Sequence, residues 1–175
     1  MRDLRWLAWA MLAIWASWLS AAQAVAVSRT LLGAWTPDLG LLLVIALAGA
    51  LRRSDVMVAA LIVGLARVAH SIEPPAALLA GFLGVALAVQ SVRRFAELEQ
   101  PLVRLGLCAA AALIFGLWLN LVHAVRTGME VGLGGLGAAL PQVLPGVLST
   151  TFCGLVLATS LSRLPGLTPL RRQRW

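Results

Sequence analysis

Apolar residues run along this chain in stretches of about twenty, broken by short polar clusters. The first run is Trp6 to Val27, behind a charged start of Arg2, Asp3 and Arg5. The second opens at Thr36-Pro37-Asp38, continues as LGLLLVIALAGAL to Leu51 and stops at Arg52-Arg53. The third covers Asp55 to about Ser71 and contains Arg67. Glu73-Pro74-Pro75 then makes a tight turn, because a residue before proline is pushed out of the helical region. The fourth run is closed by Arg93-Arg94, the fifth starts at Pro101, and the sixth has Pro141 near its start and Pro145 one turn inside.

A helix needs roughly 20 residues to cross the hydrocarbon core of a bilayer. The pattern therefore predicts six transmembrane helices at about 6–27, 36–51, 55–71, 75–92, 101–125 and 140–161, in a single transmembrane domain over residues 1–175. Thr36 is the expected N-cap of the second helix and Pro37 its first residue. The second and third helices are short, and their flanking arginines can extend their reach by snorkelling.

Composition agrees with this reading. The chain is 61% hydrophobic and 12% charged, with a mean hydropathy of +0.91. Soluble domains hold roughly 45–50% apolar and about 25% charged residues. Lipid is thus the expected solvent, and most soluble enzyme folds, disordered hubs and disulfide-stapled secreted modules are excluded. The formal net charge is +7, from 14 cations that are all arginine. They sit in clusters between apolar runs, which reads as a topology signal and as contact with anionic lipid, not with nucleic acid.

Placing the N-terminus in the cytoplasm puts eleven arginines there: Arg2, Arg5, Arg52, Arg53, Arg93, Arg94, Arg104, Arg163, Arg171, Arg172 and Arg174. Three, Arg29, Arg67 and Arg126, fall on the other side. The positive-inside rule then predicts that both termini are cytoplasmic. A competing reading takes Arg2 and Arg5 as a signal-peptide n-region and Ala22-Gln23-Ala24 as a cleavage site, leaving five helices. The 22-residue run Trp6–Val27 is longer than a typical h-region of about 7–15, and with Trp6, Trp9, Trp15 and Trp18 it suits a retained helix.

Membrane helices associate through small residues that allow close approach. Ala76, Ala80, Gly84 and Ala88 form such a stripe on the fourth helix, with Ala77 and Gly81 beside it, and Ala13, Ser17 and Ala21 do so on the first. The plain reading is packing within the chain; the other is a face for a partner helix. The Gly-rich stretch Thr127 to Gly137 reads as a flexible external loop. Cys108 and Cys153 lie in apolar runs, where cysteine behaves as a small hydrophobe.

Ionisable groups inside a membrane are functional hypotheses by default. Asp38, Arg67, His70, Glu73, Asn120, His123 and Arg126 all fall toward the outer ends of their helices and form a candidate outer polar rim. The functional reading is a small ligand site or a docking surface; the plain reading is a set of interface anchors. Paired intramembrane carboxylates and nucleophile or metal motifs are lacking, so no catalytic, metal or cofactor site is expected.

The stretch Pro37-Asp38-Leu39-Gly40-Leu41-Leu42-Leu43-Val44 resembles the opening of the second span in the MreD family of bacterial rod shape-determining membrane proteins. Ala59 to Leu65 is similar to that family's apolar helix ending in Gly-Leu, and Pro75, the Gly81–Gly84 helix, Leu144-Pro145 and the basic tail Arg171-Arg172-Gln173-Arg174 extend the likeness. The family often carries an acid after the Gly-Leu pair, where this chain has Ala66-Arg67-Val68. The resemblance implies a non-enzymatic scaffold of the elongasome in the bacterial inner membrane. It implies binding to MreC, and through it to RodA with its class B penicillin-binding protein and to MreB filaments. The alternative is a substrate-binding subunit of an energy-coupling-factor vitamin transporter, which has a similar six-helix architecture; the outer polar rim would then hold the ligand.

Overall fold

The computed structural model describes residues 2–29, 33–93, 100–128 and 133–170. Among them are six α-helices: α1 Arg2–Arg29, α2 Leu39–Ala50, α3 Arg53–Val68, α4 Pro75–Val92, α5 Pro101–Arg126 and α6 Leu133–Ser162. Single 3-10 turns occur at Gly33–Trp35 and Thr168–Leu170, and the described residues contain no strand. Arg94, Glu97, Glu99, residues 129–132 of the Gly-rich stretch and the tail Arg171–Arg174 lie outside the described residues.

Five segments are long and apolar enough to cross a membrane: Leu4–Ser28, Gly33–Ala50, Pro75–Val92, Pro101–Arg126 and Gly137–Leu157. The chain is therefore an all-α protein suited to a membrane. The third expected span differs: α3 has 16 residues, about 24 Å at 1.5 Å per residue, short of a hydrocarbon core of roughly 30 Å.

Polar ties fix how successive helices alternate. The start of α1 meets the start of α3, where Arg5 Nη2 bonds Asp55 Oδ1 at 2.9 Å. The end of α4 meets the end of α2, where Arg93 Nη1 donates to the carbonyls of Ala48 and Leu51, both at 2.9 Å. The start of α5 meets the last turns of α6, where Arg104 donates to Leu155 O and Thr159 Oγ1. These contacts gather Arg5, Arg93 and Arg104 at one end of the bundle. The α3–α4 and α5–α6 connections lie at the other.

The α2 helix is the axis of this bundle and packs on all five other helices. Its sequence LGLLLVIALAGA has no polar face, and a helix apolar all round is buried. Every residue from Gly40 to Ala48 is buried. The outer helices show the reverse: α1 leaves Trp6 77% and Trp18 72% exposed, and α6 leaves Phe152 69% exposed, as lipid-facing positions require.

Four sequence expectations need correction. The N-cap of α2 is Asp38, not Thr36, and Pro37 precedes the helix. A cap side chain bonds the amide two or three residues on, and Asp38 Oδ1 accepts from Leu41 N–H at 2.9 Å. The sixth helix starts at Leu133, so it absorbs the end of the Gly-rich stretch and places both Pro141 and Pro145 in its interior. The packing face of α4 is rotated from the expected stripe. Ala76, Ala80, Gly84 and Ala88 are all exposed, while Ala77, Leu78, Phe82, Val85, Ala86 and Val89 are buried. Phe82 decides the rotation: it is fully buried and stacks against Phe115 of α5 with ring centroids 4.9 Å apart. Gly40 of α2 and Gly64 of α3 leave the room it fills. On the first helix, Ser17 is exposed, and Ala8, Leu12, Ala16 and Ser20 form the buried row.

Candidate functional site

The first amides of a helix have no partners within it. At membrane depth an unpaired donor costs several kcal/mol, so the start of α2 must find acceptors elsewhere. It finds three. Asp38 Oδ1 takes Leu41 N–H, Gln23 Oε1 of α1 takes Leu39 N–H at 3.1 Å, and Thr150 Oγ1 of α6 takes Asp38 N–H at 2.9 Å. Thr150 and Gln23 are 2% and 4% exposed. Thr150 lies 12 residues before Ser162, the end of α6. That is about 18 Å along the helix axis. The start of α2 is thus held well inside the bundle.

Over this start lies a cavity of about 280 Å³, at the end opposite Arg5, Arg93 and Arg104. Its polar groups are Gln23 from α1, Thr36 and Asp38 before α2, Glu73 before α4, Asn120 from α5, and Gln142 and Thr150 from α6. Its apolar wall includes Leu41, Phe115, Leu119, Val143 and Val147. Gly116 and Gly146 also line it. Gly116 is there because Val143 of α6 comes so close that a Cβ would collide with it. Asn120 Nδ2 donates back to Gly116 O at 3.0 Å, which orients the amide with Oδ1 as its acceptor.

Three of the seven residues of the expected rim, Asp38, Glu73 and Asn120, line this cavity. Arg67 stands beside it, its Nη2 4.0 Å from Asp38 Oδ2, with side chains 16% and 20% exposed. His70, His123 and Arg126 are exposed and outside the lining. The expected rim leaves out Gln23, Thr36, Gln142 and Thr150; Thr36 reads there as a helix cap and Gln23 as part of a cleavage-site pattern. For Gln23 and Thr150 a signal was present: an amide or hydroxyl buried within an apolar helix calls for a hydrogen-bond partner, so each marks a polar neighbour.

The lining offers carboxylates, amides and hydroxyls around an apolar wall. Such a set can hold hydrogen-bond donors and orient a small molecule. The Pro37-Asp38 pair acts locally as a helix entry, with Asp38 serving the cap, the Arg67 contact and the cavity together. No family model matches the chain, and no curated protein or solved structure is significantly similar to it.

Proposed function

We propose that the chain is a non-enzymatic membrane scaffold of the bacterial cell-shape machinery, akin to MreD. It lies in the inner membrane with both termini cytoplasmic, and α3 makes a short sixth crossing. It binds MreC by helix–helix contact and so supports the RodA–penicillin-binding protein complex and MreB filaments. The observation that carries the reading is the exposed stripe Ala76, Ala80, Gly84 and Ala88 on α4. A Cβ placed on Gly84 meets nothing within 4 Å, so this face is open to close approach by another helix. The entry Pro37-Asp38 and the arginine-rich end also fit the family pattern.

Co-purification with MreC tests the reading. Gly84→Leu has free space in the chain itself, so its accumulation in the membrane should match the parent protein while MreC recovery falls. Undiminished MreC recovery refutes the assignment of this face. Absence of MreC from the parent preparation refutes the scaffold reading. A second reading, the vitamin-transporter subunit, draws on the polar cavity; a vitamin retained through purification, in a protein that does not recover MreC, favours it.

A further inference from the structure

We propose that the cavity over the start of α2 is a binding site for a compact organic cation, a molecule with one protonated amine and a short apolar body. The inference concerns the cavity alone and rests on neither reading of the protein's wider role. It comes from which helix amides are already used and which charges are already paired. The start of a helix normally favours an anion, through free amides and the positive end of the dipole. Here the amides of Asp38, Leu39 and Leu41 are taken by Thr150, Gln23 and Asp38 itself. The Asp38 carboxylate also stands against the dipole's positive end.

What remains includes donors on Gln23 Nε2 and the Thr150 hydroxyl, so the balance is decided by charge. Asn120 uses one of its two Nδ2 hydrogens on Gly116 O and keeps Oδ1 as an acceptor. Arg67 stands against Asp38 and balances it. Glu73 lines the cavity as a carboxylate with no ion pair among the described residues. Counted once each, Asp38, Glu73, Arg67 and the roughly half-unit positive end of α2 leave about half a negative charge, which attracts an opposite one. Phe115 is the aromatic residue of the wall, and aromatic rings attract cations. Size limits the ligand. Small-molecule pockets run from roughly 300 to 1,000 Å³, and this cavity of about 280 Å³ suits a single ring or a short chain.

The test is isothermal titration calorimetry on the full chain in a maltoside detergent. The probes are ethanolammonium, cyclohexylammonium and 2-phenylethylammonium, with 2-phenylethanol as the neutral match for the last. Saturable binding of at least one amine is expected, with the alcohol weaker than 2-phenylethylammonium by about tenfold or more if that amine is the one bound. Glu73→Gln keeps size and hydrogen bonding but removes the charge, and should weaken the bound amine by a similar factor. A thermal midpoint equal to the parent's shows that this variant is folded. The selectivity for charge in the parent protein gives a readout that does not depend on the variant. The proposal is overturned if no amine binds saturably below about 10 mM. It is also overturned if alcohol and amine bind alike, or if folded Glu73→Gln binds as the parent does.

Discussion

Two glycines on α4 offer the same substitution in opposite settings. Gly→Ala in a helix interior is favourable by about 1 kcal/mol from propensity alone. At Gly84 a new Cβ meets nothing within 4 Å, so that gain should stand. At Gly81 the Cβ would sit 2.6 and 2.9 Å from two atoms of the Phe115 ring and 3.2 Å from Trp118 Cδ1. Both rings are held in place, although Trp118 is 36% exposed. Phe115 is 4% exposed and stacked on fully buried Phe82, and Trp118 Nε1 is tied to Ala77 O at 2.8 Å. Overpacking of this kind costs about 1–3 kcal/mol, which offsets or exceeds the propensity gain. Gly81→Ala should therefore be less stable than Gly84→Ala by about 1–3 kcal/mol, and one to two kcal/mol is a factor of roughly 5–30 in the folded-to-unfolded ratio. Reversible unfolding by SDS in mixed micelles, followed by far-UV circular dichroism, measures both variants against the parent. Equal stabilities, or a Gly81→Ala more stable than Gly84→Ala, would refute the placement of α4 by Phe82 and with it the outward direction of the stripe.

Three further substitutions, at two positions, probe the ends of α2 in the same micelle assay. Asp38→Ala removes both the cap to Leu41 and the partner of Arg67, and should cost about 1–2 kcal/mol. Asp38→Asn keeps a capping oxygen and should lose less than half as much; equal losses would show that charge, not capping, sets the role. Arg93→Met leaves the Ala48 and Leu51 carbonyls without their donor, at a cost of about 1.5–3 kcal/mol. Hydrogen exchange should quicken in the last turn of α2 in that variant, and unchanged exchange there would count against the tie.

Where the chain announces its turns with proline and arginine, the sequence reading and the structure coincide. The α4 helix runs Pro75–Val92 and α5 runs Pro101–Arg126, within a residue of expectation, because a proline at the first helical position fixes the backbone for entry. The start of α6 was illegible because its Gly-rich sequence has poor intrinsic propensity, and neighbouring helices override propensity. The α4 face was misjudged for a different reason. Spacing of small residues shows where close approach is allowed, but the large side chains determine where it happens, and the gap that receives Phe82 is made by glycines on α2 and α3. The same holds for the cavity. Asp38, Glu73 and Asn120 were legible as polar groups toward one end. Their convergence with Gln23 and Thr150 depends on α2 starting level with the middle of α6, a depth that no single segment encodes.

The short reach of α2 has an electrical consequence. A membrane potential falls mainly across insulating material, and each elementary charge carried through 100 mV exchanges about 2.3 kcal/mol. The α2 helix has 12 residues, about 18 Å of apolar axis against a hydrocarbon core of roughly 30 Å. Polar groups bound that axis at both ends, through Asp38 with the cavity on one side and Arg93 on the other. Where water reaches both of those polar ends, the voltage gradient along α2 in an energised bilayer is steeper, by about 1.7-fold, than through the surrounding lipid. Asp38, at the cavity floor, stands at the edge of that gradient.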